Sequence, residues 1–152
     1  MSKMIDSLHE ICNSPFLLAN CFVFAYRDLP IKSNNVLLAY LVLPLILYPR
    51  SSNFLQHANI RSSILTLRNK KEQIAGLSER ISYYRNLTNL CLQYLIDNNI
   101  LFVDNDMSVH INNQIDLPTA RTQEELAASK LYLIFRDIPI QTIYRQLGVR
   151  SL

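Results

Sequence analysis

Two nearly continuous apolar segments near the beginning of the chain constrain its fold most. Residues 16–26 are apolar except for Asn20, and residues 36–48 form the longest apolar run, which Pro44 interrupts. A helix that is apolar on every face must be buried on every face, and this run is shorter than the ~20 residues that span a bilayer. We therefore predict two helices that form an apolar hairpin in the protein core. A kink is expected at Pro44, because proline removes a backbone hydrogen-bond donor.

Capping residues and helix breakers divide the remaining chain into further elements. Ser14 and Pro15 suit the start of the first helix. Gly76 predicts an interruption in a long helical stretch, because glycine costs about 1 kcal/mol in a helix interior. Thr122 and Glu125 have the spacing of a capping box. The predicted helices are 16–26, 36–48, 51–57 (capped by Ser51 and Ser52), 62–68, 70–98, 122–136 and a terminal turn at 142–147 that Gly148 closes.

A short β-hairpin is the only predicted sheet. Residues 107–111 alternate apolar and polar side chains, and residues 100–104 form a second extended run, with Asn105 near the turn between them. The order of helix, helix and hairpin over 62–111 resembles a winged helix. We predict a mainly α fold over 1–152, a single helical domain with an apolar helical hairpin core and a small, winged-helix-like β-hairpin.

The residues that common catalytic sites require are missing from the sequence. Its only two glycines, Gly76 and Gly148, are far apart, which excludes a glycine-rich phosphate-binding loop. No serine lies in a G-x-S-x-G elbow, and the three histidines are widely separated. Asp104 and Asp106 are better explained by a hairpin turn than by paired acids or metal ligands. The sequence thus predicts a protein that is not an enzyme and uses no cofactor or metal.

Cysteine usage indicates a reducing compartment. Cys12, Cys21 and Cys91 have apolar neighbours, and none forms a C-x-x-C pair. Residues 1–7 lack the apolar run of a targeting signal. We expect a cytoplasmic protein that does not interact with membranes.

The basic residues are concentrated in the middle of the chain. Residues 61–96 contain six basic and two acidic side chains, although the net charge of the whole chain is only +3. One interpretation is a solvated helix face; the others are binding to nucleic acid or to an acidic partner surface. Tyr83 and Tyr84 could stack on bases, or one could face the core and the other its rim. The basic stripe consists of Arg61, Arg68, Lys70, Lys71, Arg80 and Arg85.

Four segments, in this order and spacing, resemble one known family. They are N-S-P-F-L-L at 13–18, L-V-L-P-L-I-L at 41–47, A-A-S-K at 127–130 and T-I-Y-R-Q-L-G-V at 142–149. The family is the middle component of bacterial ABC three-component systems, which includes the small subunit of Lamassu-type anti-phage systems. The resemblance extends over most of the chain.

The resemblance implies a non-catalytic accessory subunit in anti-phage or anti-plasmid defence. Its partners would be an SMC-like coiled-coil ATPase and an effector, often a nuclease, between which it acts as an adaptor. DNA would be bound through the assembled complex. The alternative is a stand-alone, winged-helix-like DNA-binding protein, which should bind DNA alone with an affinity that falls steeply as salt rises.

Overall fold

The computed structural model describes residues 15–114, 116 and 119–150, and within these ranges the chain is mainly helical. Ser14 and Cys12 lie outside the described residues. The elements are α1 (Pro15–Arg27), a 3-10 helix (Asn35–Leu38), α2 (Ala39–Ile46), α3 (Pro49–Gln56), α4 (Ile64–Arg68), α5 (Lys71–Ile74), α6 (Leu77–Asp97), β1 (Leu101–Val103), β2 (Val109–Ile111), α7 (Gln123–Ser129), α8 (Leu131–Phe135) and α9 (Ile140–Gln146).

The two apolar segments lie in the core, as their composition predicts. Phe22 and Phe24 of α1 and Leu41, Leu43 and Leu45 of α2 are almost completely buried. α1 and α2 contact each other, but each makes more extensive contact with α6, and α1 also packs against α7. The core is therefore a cluster of helices around α6, in which the α1–α2 pair is one part.

The second apolar segment is shorter as an α-helix than its composition predicts. It begins as a 3-10 helix after Asn34, whose backbone is left-handed with φ 63°. The α-helix continues through Pro44 and ends at Ile46. Tyr48 is extended, with φ −86° and ψ 121°, because the residue before a proline is disfavoured in the helical region. The α-helix thus ends at Ile46, three residues before Pro49.

α3 begins at Pro49, earlier than the serines that were predicted to cap it. Proline occupies the first helical position, where its missing N–H is not needed. Ser51 lies inside the helix and is buried. Its hydroxyl donates to the carbonyl of Leu45 at 2.5 Å and therefore ties α3 to the end of α2.

The turn between α2 and α3 is sharp. Within the described ranges, no single helix combines the length and apolar composition needed to cross a membrane. The segments Asn35–Ile46 and Pro49–Gln56 meet that test only as a pair, and they are bent by 104° relative to each other.

The long helical stretch is interrupted at Gly76, as predicted. Gly76 has φ 68°, a left-handed conformation that favours glycine, and it separates α5 from α6. The buried side of α6 carries side chains at a spacing of three or four residues. Those that are buried are Leu77, Ile81, Thr88, Cys91, Leu92 and Leu95.

The β-hairpin is present, with strands shorter than predicted. β1 and β2 pair antiparallel, with Phe102 opposite His110. Met107 is not part of a strand, because its φ of 63° is incompatible with an extended chain. Buried Asn35 connects the hairpin to the rest of the protein: its side-chain oxygen accepts the backbone N–H of Val109 at 2.7 Å, and its carbonyl accepts the hydroxyl of Tyr26 at 2.8 Å.

α7 begins after Thr122, but the predicted capping box forms only in part, because Glu125 accepts the N–H of Arg121 instead of that of Thr122. The hydroxyl of Thr122 accepts the N–H of Glu125 at 3.1 Å, and the carboxylate of Glu125 accepts the N–H of Arg121 at 2.8 Å. The helix predicted to reach residue 136 is divided at Lys130 into α7 and α8. Gly148, with φ 76°, follows α9.

Candidate partner-binding surfaces

Four residues of the basic stripe lie together in sequence around α4 and α5, and all four are exposed. Arg61 is in the turn before α4, Arg68 is its last residue, and Lys70 and Lys71 begin α5. The Arg68 guanidinium donates to the side-chain oxygen of Gln146, which connects α4 to α9. Among the described residues, none of these four forms an ion pair with an acidic side chain.

The two arginines of α6 have different surroundings. Arg85 is exposed. Arg80 is half-buried: its Nε donates to the carbonyl of Pro44 at 3.1 Å, and its guanidinium carbon lies 3.9 Å from the ring centre of Tyr48. A third contact runs from Nη1 to the carbonyl of Ala75. Burial lowers the pKa of Arg80 below its ordinary value.

These contacts make Arg80 part of the junction between α2, α5 and α6. Arg80 and Arg85 are five residues apart and therefore point in different directions around the helix. Four residues of the basic stripe are thus exposed on and beside α4 and α5, and Arg85 is exposed on α6.

A second feature of α6, which the sequence did not reveal, is a partly exposed apolar face at the edge of the core, against which Leu87 and Tyr94 pack. Tyr83 is 66% exposed and Leu90 57% exposed, and Leu87 and Tyr94 are half-buried. Their spacing of four, three and four residues places them along one side of the helix. A shallow recess of about 250 Å³ lies beside Tyr83 and Leu87. We call these four residues the α6 stripe.

The signal for this stripe was present in the sequence but was ambiguous. α6 carries two apolar series at helical spacing, and Leu87, which packs against the core, lies at the border between them. Tyr84 is the tyrosine that packs against the core, whereas Tyr83 is largely exposed and meets the Tyr84 ring edge-on at 4.9 Å. Tyr84 thus faces the core, and Tyr83 lies on the exposed surface beside it.

Comparison with known proteins identifies the family. The family model for ABC-three component (ABC-3C) system Middle Component 3 matches residues 2–151. The chain belongs to this family. No curated protein and no solved structure matches the chain significantly. As a middle component, it works with other components of a three-component system, and the resemblance found in its sequence is confirmed.

The acidic residues of the β-hairpin in this middle component form contacts within the turn and beside it. The Asp106 carboxylate accepts hydrogen bonds from the hydroxyl of Ser108 at 2.6 Å and from the N–H of Ser108 at 3.1 Å. These bonds lower the pKa of the Asp106 carboxyl. It also accepts the hydroxyl of Ser33 at 3.1 Å. Asp104 lies 3.0 Å from the ring of His110. Both carboxylates therefore have partners within or beside the hairpin, as expected for turn residues.

Both cysteines among the described residues, Cys21 and Cys91, are buried. Burial raises the pKa of Cys21 and of Cys91 to about 12, so both thiols are protonated at neutral pH. No group of three or more histidine, cysteine, aspartate or glutamate side chains in the described ranges is arranged to hold a metal ion. The basic residues around α4 and α5 and the α6 stripe are two candidate interaction surfaces.

Proposed function

We propose that this middle component is a non-catalytic adaptor that docks on an SMC-like coiled-coil ATPase and connects it to an effector in bacterial anti-phage or anti-plasmid defence. The observation that carries the proposal is the α6 stripe. Tyr83 and Leu90 are more than half exposed on a helix whose other side is part of the core. Contiguous exposed apolar surface of this kind usually marks an interaction site.

The spacing of the α6 stripe favours a helical partner. Side chains separated by four, three and four residues form the seam that one helix presents to another in a coiled coil. Burying an exposed leucine or aromatic side chain contributes about 1.5–3 kcal/mol. Two such side chains would supply much of the free energy of a modest protein–protein contact. A coiled-coil ATPase has long helices that can provide the complementary seam.

Co-purification with the other components tests the adaptor function. We expect the double variant Tyr83→Ser, Leu90→Ser to lose binding to one component, with a loss of roughly 3 kcal/mol in binding free energy because two anchors are removed from one interface. Its unfolding midpoint should stay near that of the unaltered chain, since both side chains are largely exposed. The measurement is the affinity between purified components, with circular dichroism as the check on folding.

Leu65 offers a matched control for this experiment. It is 53% exposed, but it lies on α4 and is not part of the α6 stripe. Leu65→Ser should leave binding unchanged. If the double variant binds both other components as tightly as Leu65→Ser does, the α6 stripe is not a docking surface and the adaptor proposal loses its main support.

We further propose that the basic residues hold DNA in the assembled complex. Arg61, Arg68, Lys70, Lys71 and Arg85 are exposed and have no ion pair with a described residue, so their charge is available to phosphate. Arg80 is left out of this proposal because its guanidinium is engaged within the fold. The stand-alone DNA-binding protein is the competing function, and reversing the charge of the exposed basic residues separates the two.

A further inference from the structure

A groove beside α9 has a different chemistry from the α6 stripe. It has a volume of about 710 Å³, and apolar side chains of the 3-10 helix, α9 and the following turn form its floor. A second recess of about 400 Å³ shares Leu37, Ile140 and Gln141 with it, so the two form one continuous depression. We call this depression the α9 groove. Its apolar floor consists of Leu37, Ile140, Tyr144 and Val149.

Contacts between distant parts of the chain hold the walls of the α9 groove in place. The hydroxyl of Tyr144 donates to the carbonyl of Leu37, which joins α9 to the 3-10 helix. The N–H of Val149 donates to the carbonyl of Tyr144 at 3.0 Å, and Gly148 has φ 76°, so the chain turns back against α9. These contacts preform the groove, and preformed sites lose less entropy on binding.

The rim of the α9 groove is basic. Lys32 lies at one recess, and Arg145 and Arg150 line the other. The Lys32 ammonium donates to the carbonyl of Arg136 at 2.9 Å, a contact that leaves its charge uncompensated. Of the described residues that line either recess, none is acidic. None of these three cations forms an ion pair with a described residue.

An apolar floor with a basic rim defines the chemistry of the occupant. Apolar side chains would replace water on the floor, and carboxylates would meet the cations at both recesses. Phosphate would satisfy the rim but would leave the floor without a partner. The complementary ligand is therefore a peptide segment that combines apolar and acidic side chains.

We propose that the α9 groove binds an amphipathic acidic segment of another component of the same three-component system. The inference rests on the proposed adaptor function and extends it, because an adaptor needs two separate docking surfaces. The α9 groove and the α6 stripe share no residue. The α6 stripe binds a helix through apolar contacts, whereas the α9 groove selects its partner by negative charge.

Gln141 provides a sharp test, because it lines both recesses and is exposed. Gln141→Glu adds a negative charge to the groove, and Gln141→Lys adds a positive one at the same site. With the two other components purified separately, we expect Gln141→Glu to weaken binding of one of them by about tenfold and Gln141→Lys to leave it equal or tighter. Reversing the charge of the rim with the double variant Arg145→Glu, Arg150→Glu should weaken the same binding further and reduce its salt dependence.

A matched charge change elsewhere controls for net charge. Arg27→Glu, Arg121→Glu alters two exposed arginines outside both recesses and should leave binding unchanged. If the groove variants bind both components like this control, the inference is wrong while the adaptor function stands. If they weaken only DNA binding or only self-association, the occupant is nucleic acid or a second copy, and the inference is also wrong. If neither component binds the unaltered chain, the adaptor function itself fails, and the inference fails with it.

Discussion

Arg80 and Arg85 both lie on α6, but their side chains have different surroundings. Arg80 donates to the carbonyl of Pro44 and stacks on Tyr48, whereas Arg85 is exposed. A hydrogen bond from a charged group contributes about 1.5–3 kcal/mol, and a cation–π contact at a partly exposed site about 0.5–1 kcal/mol. The junction of α2, α5 and α6 should therefore depend on Arg80.

Replacing the two arginines in parallel tests this difference. We expect Arg80→Ala to lower the free energy of unfolding by about 2–3 kcal/mol, and Arg85→Ala to change it by less than about 0.5 kcal/mol. Arg80→Lys should lie between them, because lysine keeps the charge but lacks the planar fork. Urea denaturation measures all three. Equal effects of Arg80→Ala and Arg85→Ala would show that the contacts of Arg80 contribute nothing to stability.

At the level of elements, Gly76 sets where α5 ends and α6 begins. Its φ of 68° is in the left-handed region, where a side chain is strained. A Cβ at this position would lie 3.4 Å from Nη1 of Arg80, which is the end of a flexible side chain, so the cost comes from the backbone and not from crowding. The break is thus a property of the backbone conformation.

Two substitutions at position 76 separate strain from helix propensity. Gly76→Ala should lower the free energy of unfolding by about 1–2 kcal/mol, because a left-handed alanine is strained. Gly76→Asn should cost less, since asparagine tolerates this conformation. Thermal and urea unfolding measure both. A Gly76→Ala variant that is more stable than the unaltered chain would indicate that α5 and α6 form one continuous helix.

At the scale of the whole molecule, charge reversal tests the DNA-binding proposal. Lys70→Glu, Lys71→Glu, Arg85→Glu should leave folding intact, because exposed charges contribute little to stability. In the assembled complex, DNA affinity should fall, and the slope of its logarithm against that of salt should flatten by about 0.9 for each lost phosphate contact. Fluorescence anisotropy with duplex DNA over a salt series measures both quantities.

The control carries the same charge change elsewhere: Arg27→Glu, Arg121→Glu, Lys130→Glu. It should reduce DNA affinity much less than the first triple variant. Tight, salt-dependent binding of DNA by the isolated chain would favour the stand-alone DNA-binding protein. If instead the first triple variant fails to join its partners and DNA binding is never detected, the basic residues dock protein. If neither property changes, they form a solvated face.

The sequence by itself determined the elements, because their signals are local. Long apolar runs predicted the core segments, Gly76 predicted the break between α5 and α6, and Thr122 predicted the start of α7. Prediction failed at the ends of two elements, where the backbone conformation departs from the side-chain pattern. Tyr48 adopts an extended backbone before Pro49, so the second apolar segment ends early, and Met107 turns instead of extending.

Only the tertiary structure decided which surfaces remain exposed. α6 has two apolar faces at the same spacing, and the packing of α1 and α2 buries one and leaves Tyr83 and Leu90 of the other exposed. The same packing turns Arg80 inward. The α9 groove brings Lys32 and Leu37 next to residues more than a hundred positions later. The spacing of apolar residues shows which of them share a helix face. Whether that face is buried depends on which other elements pack against it, and those elements are distant in the sequence.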